Sequence, residues 1–145
     1  MIDLPDLNVW LALADEDHQH HKVARNYWEN QSADTFNFCR ITMLGFLRLL
    51  THPKVMDGRP FSPPEAWQAY RNFLILPEVE FLNEPASLEK RLASFSEKAD
   101  FPESLWTDAY LAALAVESSR RVVSFDHDFT RFEGLHFLHL QDPSD

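Results

Sequence analysis

Four aspartates of this chain stand where carboxylates can act together. Asp126 and Asp128 directly follow a short apolar run at residues 122–125, which predicts a buried strand of a parallel sheet. Asp6 follows residues 2–4, which are also predicted to be a strand. Ligand sites in open α/β sheets lie beyond the carboxyl ends of the strands. We therefore expect Asp6 and Asp126 to lie close together at one edge of the sheet.

Asp108 is expected to join these residues because of the helix that carries it. Residues 103–119 predict a helix that ends just before the strand at 122. If helix and strand pack antiparallel, the first turns of the helix lie at the same edge of the sheet as Asp126. The residues three and four positions away from Asp108 are Ser104, Leu105, Leu111 and Ala112. This face is largely apolar, so the carboxylate should point towards the sheet. A buried carboxylate is costly unless it is paired with a cation or bound to a metal.

The clustered carboxylates predict a particular chemistry. Their oxygen ligands suit hard cations such as Mg²⁺ or Mn²⁺ rather than zinc. Such a cation can activate a water molecule for in-line displacement at a phosphodiester. Ser124 points to the same side of its strand as Asp126 and could hydrogen-bond to a carboxylate or to a metal-bound water. The residues therefore predict a hydrolase acting on phosphodiester bonds.

Each aspartate also has a structural interpretation, which the sequence leaves open. Asp108 could cap backbone amides at the start of its helix, where the helix dipole favours negative charge. Asp6 could form an Asx turn between strand and helix, and Asp126 and Asp128 could be solvated turn residues. The three histidines at positions 18, 20 and 21 predict a solvated helix start rather than a ligand set.

Strands and helices alternate along the predicted chain. Strands are predicted at residues 2–4, 35–38, 79–82, 122–125 and 136–140, and helices at 9–15, 21–30, 41–50, 63–76, 86–99 and 103–119. Asn8 is predicted to cap the first helix, and Ser62 with Glu65 to begin the fourth. The alternation predicts an α/β fold, a three-layer α/β/α sandwich around a mostly parallel central sheet, with residues 1–145 in a single domain.

Composition narrows the classes of protein to consider. The chain has 145 residues, 45% of them hydrophobic, so it can bury a core. Cys39 is the sole cysteine, and the chain starts without a basic segment and long apolar run, so we expect a cytoplasmic protein. A net charge of −10 argues against passive nucleic-acid binding. It does not exclude a nuclease, because a divalent cation can sit between the acids and a phosphate.

Several stretches resemble the motifs of PIN-domain proteins. The opening Asp-x-Asn motif is similar to residues 6–13, DLNVWLAL, and the third acidic motif to residues 107–115, TDAYLAALA. The fourth motif is similar to residues 123–129, VSFDHDF. Residues 45–53, GFLRLLTHP, resemble a stretch found in toxin ribonucleases of the VapC type. The motifs follow the family's order and spacing over the whole chain.

The resemblance implies an α/β/α fold and an endoribonuclease that uses Mg²⁺ or Mn²⁺ to hydrolyse RNA, often structured RNA such as tRNA. It further implies a homodimer and a small antitoxin, made from the same operon, whose C-terminal part covers the active site. Carried over by motif, the catalytic metal ligands are Asp6, Asp108 and Asp126. Asp128 is then a supporting acid of the metal site, and Asn8 and Ser124 hold its shell in place.

One departure from the family pattern concerns the usual second acid, a Glu on the helix after the second strand. Gly45 is interpreted as standing in that register, and residues 35–53 contain no Asp or Glu. A glycine inside a helix costs about 1 kcal/mol relative to Ala, so close approach of a substrate or another helix is expected there. The missing acid leaves open a module that binds RNA or protein without cleaving. A phospho-acceptor regulator is disfavoured, because no Lys follows a late strand.

Overall fold

The computed structural model describes residues 1–30 and 33–143, and this part of the chain forms five strands and six α-helices. The strands are β1 Ile2–Pro5, β2 Thr35–Phe38, β3 Val79–Phe81, β4 Arg121–Ser124 and β5 His136–His139. The helices are α1 Leu7–Ala14, α2 His21–Asn30, α3 Arg40–Leu50, α4 Pro63–Ile75, α5 Leu88–Ser96 and α6 Trp106–Ser118. Two 3₁₀ turns, Glu103–Leu105 and His127–Arg131, precede α6 and follow β4.

The five strands form one parallel sheet in the order β3-β2-β1-β4-β5. The chain therefore builds outward from β1 in one direction through β2 and β3, and in the other through β4 and β5. The reversal falls between β1 and β4, where Pro5 pairs with Val123. Crevices for ligands form at such a reversal, outside the carboxyl ends of the strands.

Helices cover both faces of the sheet, each over its own hydrophobic core. One core packs residues of α1, α2, α3 and α4 against the sheet, with the Trp10 ring stacked on Phe38 at 3.8 Å. The other packs α5 and α6 against the opposite face. Successive residues of β4 point to different cores, Val122 to the second and Val123 to the first. The predicted three-layer α/β/α arrangement with a parallel sheet is confirmed.

A buried ion pair ties β1 to β4 away from the carboxyl ends. Asp3 is fully buried and accepts two hydrogen bonds from Arg121, both at 2.9 Å. The Tyr27 hydroxyl donates a third at 2.5 Å. A buried carboxylate needs such partners, because removing a charge from water costs several kcal/mol. Within the described residues, no helix is both long enough and apolar enough to cross a bilayer.

The helix starts show where local prediction succeeds and where it fails. Ser62 caps α4 and accepts a hydrogen bond from the Glu65 amide at 3.3 Å, so that predicted capping box is confirmed. The prediction that Asn8 caps the first helix is wrong. The helix begins at Leu7 and Asp6 is its cap, which leaves the Asn8 side chain free to contact β4.

Candidate active site at the carboxyl ends of the strands

Asp6 is held rigidly at the end of β1. Its side chain is 9% exposed, and its Oδ1 accepts a hydrogen bond from the Leu7 amide at 2.7 Å. Its Oδ2 accepts one from the Ser124 hydroxyl at 2.8 Å. Burial raises the pKa of Asp6, the hydrogen bonds from Ser124 and Leu7 lower it, and the charge of Asp126 raises it further. Asp6 is therefore a helix cap and also a member of a group of interacting carboxylates.

Ser124 links the two central strands through its hydroxyl. This fully buried side chain donates to Asp6 and accepts a hydrogen bond from the Asp126 amide at 2.9 Å. Asn8 contributes from α1, with its Nδ2 donating to the same hydroxyl at 3.2 Å. The predicted contact between Ser124 and a carboxylate is present, and Asn8 lies beside them. The two residues fix the position of Asp6 and of the backbone that carries Asp126.

Asp108 lies in the first turn of α6 and is half-buried. Burial, then the negative charges of Asp6, Asp126 and Asp128, raise its pKa to about 7. A hydrogen bond with Asp126 adds to the rise. The groups that act on Asp108 are all carboxylates, so its charge is not balanced by a cation. The expected convergence of Asp108 with the strand-end aspartates is thus observed.

Asp126 and Asp128 complete the group in a more exposed position. The Asp128 amide donates to Asp126 Oδ1 at 2.8 Å, so Asp126 also caps the short 3₁₀ turn after β4. Across residues 1–30 and 33–143, no three His, Cys, Asp or Glu side chains are arranged to hold a metal ion. Asp6 and Asp126 each have one carboxylate oxygen taken by a local backbone amide, and the charges of Asp6, Asp126 and Asp128 all act on Asp108.

The third helix brings no acid to this region, because residues 35–53 contain neither Asp nor Glu. The packing of a neighbouring side chain explains the glycine of this helix. A Cβ at Gly45 would lie 2.6 Å from Leu7 Cδ2, so the Leu7 side chain would have to move to make room for it. The expected close approach of another helix is confirmed, since Leu7 begins α1.

Two histidines that were not assigned to the site support its frame. His139 Nε2 lies 3.1 Å from the carbonyl oxygen of Phe125, the residue between Ser124 and Asp126. The His20 ring stacks on the Phe125 ring at 4.4 Å. His20 is therefore packed rather than simply solvated, which corrects the expectation for the histidines near the second helix. These contacts join residues 14 and 105 positions apart, so no local sequence signal could have revealed them.

Comparisons with known proteins agree with this geometry. The PIN-domain family model matches residues 4–135. The chain belongs to the PIN-domain family. Ribonuclease VapC41 of Mycobacterium tuberculosis is 38% identical over 138 residues, which cover 91% of this chain and 94% of that protein. Ribonuclease VapC37 of the same species is 32% identical over 132 residues, which cover 90% of this chain and 91% of that protein.

Solved structures share the fold of this PIN domain. VapC20 of Mycobacterium tuberculosis, described as a Sarcin-Ricin loop cleaving toxin, superposes with a TM-score of 0.67 at 19% identity, covering 94% of this chain and 99% of that one. VapBC2 of Rickettsia felis, bound to a promoter DNA fragment, superposes with a TM-score of 0.62 at 11% identity. The match covers 97% of this chain and 100% of that one. The sequence relatives place this PIN domain among the VapC ribonucleases, so the protein is a nuclease and the predicted resemblance is confirmed.

Proposed function

We propose that this VapC-type endoribonuclease works with Mg²⁺ or Mn²⁺ held by Asp6, Asp108 and Asp126, with Asp128 in support. The pKa of Asp108, raised to about 7, carries the proposal. A carboxyl group shifted by burial and by three other carboxylates lies in a site with an unbalanced negative charge. A divalent cation would remove that imbalance, and the same four oxygen donors are the ligands that hard cations prefer.

The donor set fits such a cation. The structure holds Asp6 through Ser124 and the Leu7 amide, so this carboxylate can serve as a fixed ligand. Asp108 and Asp126 are held by fewer hydrogen bonds to the rest of the fold. Binding would displace the proton that the raised pKa retains on Asp108 and draw the carboxylates together.

Within this proposal each residue has a defined task. When bound, the cation activates a water molecule and offsets the charge on the phosphate oxygens. Ser124 and Asn8 hold Asp6 and the backbone of Asp126 in place, where the two carboxylates would hold the ion. Water adds to phosphorus, the bond from phosphorus to the 3′ oxygen breaks, and that oxygen takes up a proton. The products are a 3′ hydroxyl and a 5′ phosphate.

The likeness to VapC ribonucleases supports a proposal for the biological setting. We expect this protein to be the toxin of a toxin–antitoxin pair in the cytoplasm, to form a homodimer, and to cut structured RNA such as tRNA. The net charge of −10 favours an antitoxin segment that is basic where it reaches the site. A complex that resists high salt, with no Arg or Lys of the antitoxin at the pocket, would contradict this.

The deciding experiment uses protein freed of any co-expressed partner. Total tRNA is incubated with the protein in Mg²⁺, in Mn²⁺ and in EDTA, beside the Asp126→Ala and Asp126→Asn variants. Asn keeps the acceptor that caps the turn after β4 but lacks the charge, so it separates chemistry from folding. Discrete fragments with 5′ phosphates should require a metal and vanish in both variants. Fragments that persist in EDTA or in Asp126→Asn would overturn the assignment.

A second candidate is a module that kept the PIN fold and binds RNA or protein without cleaving. The absence of an acid on the third helix favours it, because the site then has four aspartates and no glutamate. Its signature is folded protein that binds tRNA yet produces no fragments in either metal.

A further inference from the structure

A cavity of about 350 Å³ opens beside the carboxylate group, between α3 and the start of α6. Asp6 lines it, and so does Thr107, the residue directly before Asp108. Its volume lies in the range of sites that hold small ligands. The cavity thus shares Asp6 with the candidate active site.

The walls of the cavity combine two kinds of surface. Most of its lining is aliphatic, and Leu44 is 54% exposed at its margin. Arg48 is the one Lys or Arg among the lining residues and makes no salt bridge within residues 1–30 and 33–143. Aliphatic walls suit the faces of a nucleobase, and a guanidinium binds a phosphate through two parallel hydrogen bonds.

Positively charged residues are concentrated in the segment that contains α3. Residues 35–64, which contain α3 and the loop after it, carry four Lys and Arg and one Asp. The rest of the chain carries nine Lys and Arg against 22 acids. Nucleic acid follows positive potential, because neutralised phosphates release their counterions. RNA should therefore approach the acidic site across α3 rather than across α5 or α6.

We propose that this cavity is the subsite for the nucleotide next to the cleaved bond, with the base against its aliphatic wall and a phosphate bound by Arg48. The inference rests on the proposed function, because it takes RNA as the substrate. Arg48 is then a substrate-binding residue, within the stretch 45–53 for which the sequence motif gave no role.

Equilibrium binding tests the phosphate contact without relying on cleavage. A labelled single-stranded RNA of randomised sequence is titrated with protein carrying Asp126→Asn, alone and combined with Arg48→Gln or Lys90→Gln. Lys90 is an exposed residue of α5, on the other face of the sheet, and its replacement changes the net charge equally. Arg48→Gln should raise Kd about five- to tenfold. It should also lower the slope of log Kd against log salt by about 0.7, the value for one contact to a single strand.

Competition by small molecules tests the proposed contact between the base and the aliphatic wall. The four nucleoside 5′-monophosphates and ribose 5-phosphate compete with the RNA in the same three proteins. Nucleotides should compete better than ribose 5-phosphate, and Arg48→Gln should weaken them while Lys90→Gln does not. Equal competition by ribose 5-phosphate would overturn the base subsite. Equal RNA affinity and salt slope in the Arg48→Gln and Lys90→Gln proteins would overturn the phosphate contact and leave the cavity to a protein partner. Neither result depends on cleavage, so failure of the nuclease assay remains a separate outcome.

Discussion

Replacing Asp108 by Asn removes a carboxylate whose ionisation the fold opposes. The pKa of this group rises from 3.8 to about 7 on folding, mainly through burial. A shift of that size corresponds to about 4 kcal/mol if it were expressed in full. Asp108 is only half-buried, and solvent screening reduces the effect to about 1–2 kcal/mol. The variant should be more stable than the wild type by this amount at pH 8 in EDTA.

The direction of the pH dependence follows from proton binding. Between pH 4 and pH 7 the folded state keeps the Asp108 proton that the unfolded state has lost, so stability falls as pH rises through this window. Asn cannot titrate, so the variant does not lose stability over this pH range. The gain should be near zero at pH 4, grow towards pH 7 and stay level above it. Urea unfolding at pH 4, 6 and 8 measures the gain directly, and the melting temperature should rise by about 3–6 °C at pH 8.

The control is Asp17→Asn, at an exposed aspartate in the turn between α1 and α2, which changes the net charge equally. A gain that is the same at pH 4 and pH 8, or no larger than that of the control, would refute the origin assigned to the pKa of Asp108. Saturating Mg²⁺ should stabilise the wild type and reduce the advantage of the variant, because a bound cation favours the ionised carboxylate.

Three further changes probe the frame of the site. Arg121→Met should destabilise the protein by about 3 kcal/mol in urea unfolding, because it leaves Asp3 buried with the Tyr27 hydroxyl as its remaining side-chain partner; cleavage per folded molecule should not change. Ser124→Ala should reduce metal-dependent cleavage about tenfold by releasing Asp6, and a shift in the metal concentration needed for half activity would separate this from misfolding. Ser62→Ala should cost about 1 kcal/mol of stability through loss of the α4 cap, and reduced cleavage by the folded variant would contradict a purely structural role.

The order of strands and helices could be predicted because each element carries a local signal. A short apolar run marks β4, which is buried on both faces, and helical spacing marks the longer helices. Parallel strands share one direction, so residues at their carboxyl ends must meet at one edge. That rule brings Asp6 and Asp126 together from the sequence alone, and the direction of the helix adds Asp108.

Local signals failed where a distant contact decided the outcome. Asn8 reads as a helix cap, yet Asp6 takes that place because its carboxylate lies between the Leu7 amide and Ser124, 118 residues along the chain. Nothing in its own helix explains why position 45 is a glycine. The reason is Leu7 of another helix, whose side chain occupies the space that a Cβ would need.

The sequence by itself determined the α/β class, the family motifs and the aspartates that stand at strand ends, because these depend on residue type and spacing along the chain. Only the tertiary structure decided how those aspartates act on one another. The pKa of Asp108 depends on its burial and on the charges of Asp6, Asp126 and Asp128. The cavity beside Asp6, with Arg48 in its wall, likewise exists only where α3 and α6 come together. Burial and distance are set by packing between segments far apart in sequence, and no pattern within one segment encodes them.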